Sequence, residues 1–90
     1  LLAERARVAQ QLEERGLAEV WPGKTHFLLA RLRMGKASAL KEYLAAHHGM
    51  LIRDASNFEG LDDRYFRIAI QSRDADDCLL NAIHEWIFEE

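Results

Sequence analysis

Hydrophobic and polar positions follow two different periods along this chain. In three segments the apolar residues recur at helical spacing, and these segments are bounded by residues that favour helix ends. Gly16 and Gly49 follow the first two, in the position where glycine commonly ends a helix. Ser72 precedes the third and is a favoured N-cap residue. The pattern therefore predicts three helices, over residues 1–15, 36–48 and about 72–88.

Other segments have the apolar character and short period of strands. In YFRIAI, alternation predicts that Phe66, Ile68 and Ile70 face the core, whereas the residues between them face away. The run THFLLARL has three consecutive apolar residues, which is typical of a strand covered on both faces. The pattern predicts strands over residues 17–20, 25–32, 50–53 and 65–70.

These elements follow the order α-(β)-β-α-β-β-α. That order predicts a single α+β domain over residues 1–90, with a sheet of about three to four strands, mixed or antiparallel, and helices packed mainly on one face. The other face would be left to solvent or to a partner surface. Residues 54–64 contain Ser, Asn, Gly and three Asp, and are predicted to form an ordered loop.

Charge and composition narrow the class of protein. The net charge is −3 with an isoelectric point near 5.8, and the basic residues are scattered, which argues against nucleic-acid binding. No apolar run has the length of a membrane span. The one cysteine, Cys78, gives no reason to expect an oxidising compartment, so a cytoplasmic location is expected. Cys78 is predicted to be a buried structural thiol on the apolar-leaning side of the last helix.

The histidines do not indicate a metal site. His47 and His48 are adjacent on a predicted helix and point about 100° apart, so they cannot chelate one ion well. His26 and His84 have no partner at ligand spacing. No metal is therefore expected. Both tryptophans, Trp21 and Trp86, are expected to anchor the core or an interface.

Two arginines end or interrupt the most strand-like segments. Arg67 is predicted at the centre of the face of its strand that points away from the core, and Arg53 ends a neighbouring apolar run. A guanidinium group stays protonated and can bind a carboxylate or a phosphate with two parallel hydrogen bonds. The pattern alone favours a simpler interpretation, in which these arginines pair on the surface with Asp54, Asp62 or Asp63.

A family resemblance favours the first interpretation. The segment GMLIRDASNFEGLDDRYFRIAIQSRDADDCLLNAI resembles the C-terminal end of the fold-type I enzymes that use pyridoxal phosphate, and most of all the histidinol-phosphate aminotransferase group. The resemblance lies in a strand ending in Arg-Asp, a Gly-Leu step in the loop, and a Tyr-aliphatic-Arg-Ile strand. Upstream, the Pro-Gly turn, the Phe-Leu-Leu strand and the helix KASALKEYLAAHHG are also similar, so the resemblance covers residues 1–88. Within the group, RDASNFEGLDDRYFRIA is most similar to threonine-phosphate decarboxylase of cobalamin biosynthesis.

The resemblance implies that this chain is the C-terminal small domain of a class I/II aminotransferase-like enzyme. It implies that Arg67 binds a carboxylate or phosphate of the substrate beneath the cofactor, and that Arg53 holds the anionic end of a phosphorylated amino compound. The lysine that carries pyridoxal phosphate and the residues that bind the cofactor would lie in a large domain outside these residues. No catalytic residue, cofactor binding or activity is therefore expected of this chain alone. His26 departs from the Asn that many relatives carry before the Phe-Leu-Leu strand.

Several functions remain open at this point. The parent activity that the resemblance favours is decarboxylation of L-threonine O-3-phosphate, in an enzyme expected to be a homodimer. The alternative is transamination of histidinol phosphate. A third hypothesis is that the chain is a truncated remnant that acts as a binding module without catalysis. The chain begins at Leu1 without a methionine, which is compatible with an excised domain or with a remnant.

Overall fold

The described residues of the chain fold into three helices and a four-stranded sheet. The computed structural model describes residues 2–21, 26–55 and 60–89. This α+β architecture and the order of its elements confirm the prediction. The elements are α1 (Leu2–Glu14), β1 (Ala18–Trp21), β2 (Phe27–Leu32), α2 (Ala37–His48), β3 (Arg53–Asp54), β4 (Tyr65–Ala69) and α3 (Arg73–Phe88).

The sheet is antiparallel throughout, in the order β1-β2-β4-β3. The two longest strands, β2 and β4, form its centre and pair over five residues, from Phe27 opposite Ala69 to Arg31 opposite Tyr65. β3 contributes only two residues at one edge. This short edge strand leaves the neighbouring part of β4 accessible from the side.

One face of the sheet carries all three helices. Phe66 and Ile68 of β4 are buried, as the alternation predicts, and they join a continuous core with side chains from each helix. The largest fully buried side chains are Phe66, Leu12, Leu17, Leu28, Leu32, Leu40, Leu44, Leu80, Ile83 and Val8. The predicted packing of helices on one face is confirmed, and the opposite face of the sheet has no helix on it in the described structure.

The burial of the β2 side chains differs from the prediction, because helices cover only one face of the sheet. Leu28 and Leu32 are buried, but Phe27 is 44% exposed and Leu29 is only half-buried. The expectation of a strand covered on both faces is wrong, because an antiparallel sheet with its helices on one side leaves alternate residues of β2 on the open side. No helix in the described ranges is both long and apolar enough to cross a membrane.

The predicted helix ends are found at Gly49 and Ser72. Gly49 adopts a left-handed conformation (φ 65°) and its N–H donates to the carbonyl of Leu44, closing α2. The Ser72 hydroxyl accepts a hydrogen bond from the N–H of Ala75 at 3.2 Å, capping α3. Gly49 thus fixes the start of the segment that leads into β3, and Ser72 fixes the end of the segment that follows β4.

Some local predictions are wrong. Cys78 is exposed rather than buried, because it lies one residue, or about 100°, away from the buried Leu79 on α3. Strand β3 begins at Arg53 rather than at residue 50. The predicted loop over 54–64 and the Pro-Gly turn fall partly or wholly outside the described residues.

Candidate functional site

Arg53 and Arg67 lie directly opposite each other on neighbouring strands. They are a register pair of β3 and β4, so their side chains leave the sheet on the same face. This is the open face, because Phe66 and Ile68, on either side of Arg67, point into the core. Arg53 is exposed and Arg67 is half-buried. The structure thus brings together the two residues that the sequence singled out.

A row of side chains leads across the open face to this pair. Trp21 is opposite Leu29, Leu29 is opposite Arg67, and Arg67 is opposite Arg53. The row runs from an aromatic residue on the edge strand β1 to one cation on β4 and a second on the opposite edge strand, β3. The open face therefore combines apolar surface with a concentrated positive charge at β3.

The two arginines line a cleft of about 470 Å³ at this edge. Lys41 of α2 and Asp54 also line it, so among the described lining residues three cationic side chains stand against one carboxylate. Such an excess of positive charge in a concave site favours an anionic ligand. Guanidinium groups in particular fit carboxylate and phosphate oxygens.

Phe27 packs beside Arg67 in the same cleft. The guanidinium carbon of Arg67 is 5.3 Å from the centroid of the Phe27 ring, a distance at which a cation is attracted to an aromatic face. Phe27 is opposite Ala69, the next residue of β4 on the open face. The small side chain of Ala69 leaves room for the ring. This contact favours an orientation of Arg67 along the floor of the cleft.

Two of the three aspartates that could have paired with Arg67 have other cationic neighbours. Asp62 lies 3.6 Å from Arg64, and Asp63 lies 4.0 Å from Lys36. The third, Asp54, follows Arg53 on β3 and lines the cleft itself. Asp62 and Asp63 therefore lie near cations other than Arg53 and Arg67, for which the sequence pattern favoured surface pairing.

A third arginine on the open face, Arg31, has a different environment. Arg31 forms an ion pair with Glu19 and lies 5.7 Å from the Trp21 ring and 5.9 Å from the Tyr65 ring. The Arg31 guanidinium holds the pKa of Glu19 below its ordinary value. Since Glu19 offsets the charge of Arg31, the positive excess of this face is concentrated at the cleft.

Sequence reasoning missed Lys41, Phe27 and Gln71 as lining residues of the cleft. Lys41 stands in an ordinary helical segment, and its position depends on how α2 packs beside β3. The placement of Phe27 could have been inferred from the alternation in β2 once the faces of that strand were known. Gln71 follows β4, where no residue pattern marks a ligand.

The cleft does not fit the aldehyde of pyridoxal phosphate. A lysine that forms a Schiff base is activated in a desolvated pocket, whereas Lys41 is exposed. In the described ranges, no group of three or more His, Cys, Asp and Glu residues is arranged to hold a metal ion. The cationic lining of the cleft thus suits an anionic group.

Comparisons with known proteins agree with this description. The chain is 36% identical over 83 residues to threonine-phosphate decarboxylase of Salmonella typhimurium, covering 92% of this chain and 22% of that protein. It is 34% identical over 85 residues to histidinol-phosphate aminotransferase of Thermoanaerobacter pseudethanolicus, covering 94% of this chain and 23% of that protein. No protein-family model matches the chain.

The fold also matches a solved enzyme. The crystal structure of L-threonine-O-3-phosphate decarboxylase from Porphyromonas gingivalis superposes with a TM-score of 0.90 and 37% identity, over 99% of this chain and 27% of that one. The chain therefore spans about a quarter of the length of its relatives. Its homologues are threonine-phosphate decarboxylases and histidinol-phosphate aminotransferases, so the chain is a homologue of a small part of a fold-type I pyridoxal-phosphate enzyme.

Proposed function

We propose that this chain is the C-terminal small domain of an enzyme that decarboxylates L-threonine O-3-phosphate in cobalamin biosynthesis. The observation that carries the proposal is the cross-strand pair of Arg53 and Arg67 in a cationic cleft. The similarity to threonine-phosphate decarboxylases over nearly the whole chain supports it.

The role of this chain is to hold the substrate by its anionic groups. Arg67, half-buried beside Phe27, offers its guanidinium to a carboxylate or a phosphate, and Arg53 binds the anionic end from the neighbouring strand. Binding energy from a phosphate remote from the reacting carbon can orient that carbon for reaction. The two arginines would therefore lower the barrier by positioning the substrate, without taking part in bond breaking.

The cofactor belongs to the rest of the enzyme in this proposal. The family is pyridoxal-phosphate-dependent, and the large domain would supply the lysine and the cofactor phosphate site. The intact enzyme is proposed to be a homodimer in the cytoplasm. Both features remain predictions from the resemblance.

Histidinol-phosphate aminotransferase is the second candidate. The identity to the Thermoanaerobacter enzyme extends over 94% of this chain, close to the coverage by the decarboxylase of Salmonella. Both candidate substrates are phosphorylated amino compounds, so a pair of arginines can serve either. The choice between them needs a direct assay.

That assay uses the product of the complete natural coding region with pyridoxal phosphate. Release of carbon dioxide from L-threonine O-3-phosphate would support the decarboxylase, and amino transfer from histidinol phosphate to a 2-oxo acid would support the alternative. Borohydride reduction and intact mass measurement on the same sample report whether one covalent cofactor adduct forms. A product near 10.4 kDa without an adduct would overturn both enzymatic candidates and leave a non-catalytic binding module.

A further inference from the structure

Asp76 is a buried carboxyl group that is joined to the wall of the cleft. It lies in the first turn of α3, with 3% of its surface exposed. Both of its carboxyl oxygens accept a hydrogen bond from the N–H of Gln71, at 3.1 and 3.3 Å. Gln71 follows β4 and lines the cleft together with Arg53 and Arg67. The backbone of Gln71 therefore connects a buried acid directly to the candidate anion site.

Asp76 also lines a second cavity, of about 300 Å³, behind the same wall. This cavity and the cleft share Leu51 and Gln71 as lining residues. The Asp76 carboxyl group and an anion in the cleft would thus lie on two sides of one shared wall. Because water and salt screen a buried charge less than an exposed one, the anion would respond to the charge of Asp76.

A proton on Asp76 joins α3 to α1. The Asp76 carboxyl group forms a hydrogen bond with the carboxyl group of Glu4 on α1. Two carboxyl groups can form such a bond only when one of them carries a proton. Arg7 donates two hydrogen bonds to Glu4, at 2.9 and 2.8 Å, and a third to Asp77 at 2.7 Å. Arg7 thereby keeps Glu4 ionised, so the shared proton belongs to Asp76.

The surroundings of this carboxyl pair separate the two acids in their titration. Burial, and then the bond with Glu4, raise the pKa of Asp76 to about 6, whereas the hydrogen bonds from Arg7 and Asp76 lower the pKa of Glu4 to about 2. Above pH 6 the pair therefore becomes two neighbouring carboxylates, which repel each other. The described titratable and charged groups around the pair are Arg7 from α1 and Arg73, Asp77 and Cys78 from α3.

We propose that Asp76 is a pH-sensitive link between α1 and the cleft, in which its proton holds Glu4 and the loss of that proton weakens anion binding. The negative charge that appears behind Gln71 opposes a second negative charge in the cleft. By reciprocity, a bound anion raises the proton affinity of Asp76. This inference rests on the anion-binding cleft of the proposed function and adds a means of regulating it, but it does not depend on the reaction.

Sulfate is the probe that tests this link, because it remains a dianion across the range in which Asp76 titrates. Calorimetry measures its binding to the chain at about pH 5 and pH 8. Histidines titrate in the same range, so the quantity of interest is the difference between the unmodified chain and Asp76→Asn. We expect the affinity of the unmodified chain to fall about two- to tenfold more than that of Asp76→Asn. Asp74→Asn, which removes an exposed carboxylate from the same helix turn, should behave as the unmodified chain does.

Carboxyl-carbon NMR reads the same coupling on the unmodified chain. The pH at which Asp76 titrates should rise by about 0.3–1 unit in saturating sulfate, the same factor as the change in affinity. Glu4→Gln removes one carboxylate from the pair, so it should lower the pH at which Asp76 titrates. A titration that sulfate does not move would overturn the coupling to the cleft. A titration that Glu4→Gln does not lower would overturn the link to α1.

These results separate this inference from the proposed function. Sulfate binding with the same pH dependence in Asp76→Asn and the unmodified chain would overturn the inference alone. A chain that binds no sulfate at either pH would overturn the anion-binding role of the cleft in the proposed function, and the coupling with it. Because binding and titration are measured without turnover, coupling in a protein that does not decarboxylate its substrate would overturn the proposed activity and support this inference. Circular dichroism confirms that each variant is folded.

Discussion

Arg53 and Arg67 are directly opposite each other on neighbouring antiparallel strands, so two permanent positive charges share one position of the open sheet face. Like charges at such a position destabilise a sheet. Taken by itself, such a cross-strand pair of cations is unfavourable at the edge of a sheet. A bound anion would turn this repulsion into attraction, which is the physical reason to associate the pair with a ligand.

Removing one charge of the pair should stabilise this chain in the absence of ligand. We expect Arg53→Gln to raise the free energy of unfolding by about 0.2–1 kcal/mol at low ionic strength. The gain should shrink in about 0.5 M salt, which screens exposed charges. Chemical denaturation at both salt concentrations measures it. Arg33→Gln is the control, since Arg33 is exposed after the end of β2. A destabilised Arg53→Gln variant would contradict this account of the pair.

Replacing Arg67 by lysine should weaken substrate binding while preserving the charge. Lysine has no planar fork, and it cannot make two parallel hydrogen bonds to one carboxylate or phosphate. In the full-length enzyme we expect KM for L-threonine O-3-phosphate to rise about 10- to 100-fold. Arg64→Lys provides the matched control, because Arg64 lies near Asp62 on the surface. If both variants kept the KM of the unmodified enzyme, Arg67 would not be a substrate-binding residue.

The faces of the sheet could be predicted from the sequence, whereas the cleft could not. Strict alternation in β4 places Arg67 on the face away from the core, whichever strands β4 pairs with. The register that sets Arg53 beside it depends on strand order, with β3 pairing to β4 and β4 to β2, and periodicity carries no information on which strands meet.

The position of Lys41 on a helix could also be predicted only in part, because sequence periodicity does not predict how elements pack together. Its flank position on α2 follows from the spacing of the buried residues, but its place in the cleft depends on the packing of α2 against β3. The wrong prediction for Cys78 has a related cause. On α3 the apolar stripe is wide, and one step of 100° separates the buried Leu79 from the exposed Cys78.

Asp76 should make stability depend on pH in an unusual direction. It is 3% exposed at the start of α3 and accepts a hydrogen bond from the N–H of Gln71 at 3.1 Å. Burial, and then a hydrogen bond with Glu4, raise its pKa from 3.8 to about 6. The folded state therefore holds this proton more tightly than the unfolded chain. The stabilisation is complete below about pH 4 and is lost as the pH rises through 6.

The variant Asp76→Asn isolates this effect, since its amide oxygen can still accept from Gln71. Relative to the variant, the unmodified chain should lose about 2–3 kcal/mol of unfolding free energy between pH 4 and 7. Urea denaturation across that range measures the difference. Asp74→Asn controls for a lost negative charge at the helix start, because Asp74 is exposed there. Parallel pH profiles for Asp76→Asn and the unmodified chain would show that Asp76 does not titrate in this way.

Replacing Gly35 by alanine should cost more unfolding free energy than its backbone conformation alone predicts. Its φ is +86°, and a Cβ atom built there would lie 2.7 Å from Cη2 of Trp86. The left-handed conformation costs an alanine about 1–2 kcal/mol, and displacing a packed ring costs about 1–3 kcal/mol more. We therefore expect Gly35→Ala to lower the free energy of unfolding by about 2–5 kcal/mol, measured by chemical denaturation.

Gly16→Ala is a matched control for the cost of placing alanine in the left-handed backbone conformation. Its φ is +71° and a Cβ atom there would meet nothing within 4 Å, so Gly16→Ala should show only the cost of about 1–2 kcal/mol. The double variant Gly35→Ala with Trp86→Leu tests the steric part, because the smaller side chain removes the ring that the new methyl group meets. In the Trp86→Leu background, the loss of unfolding free energy that Gly35→Ala causes should fall to the loss that Gly16→Ala causes. Equal costs for the two single alanine variants would show that Trp86 yields freely, and that the turn before α2 is not held by this contact.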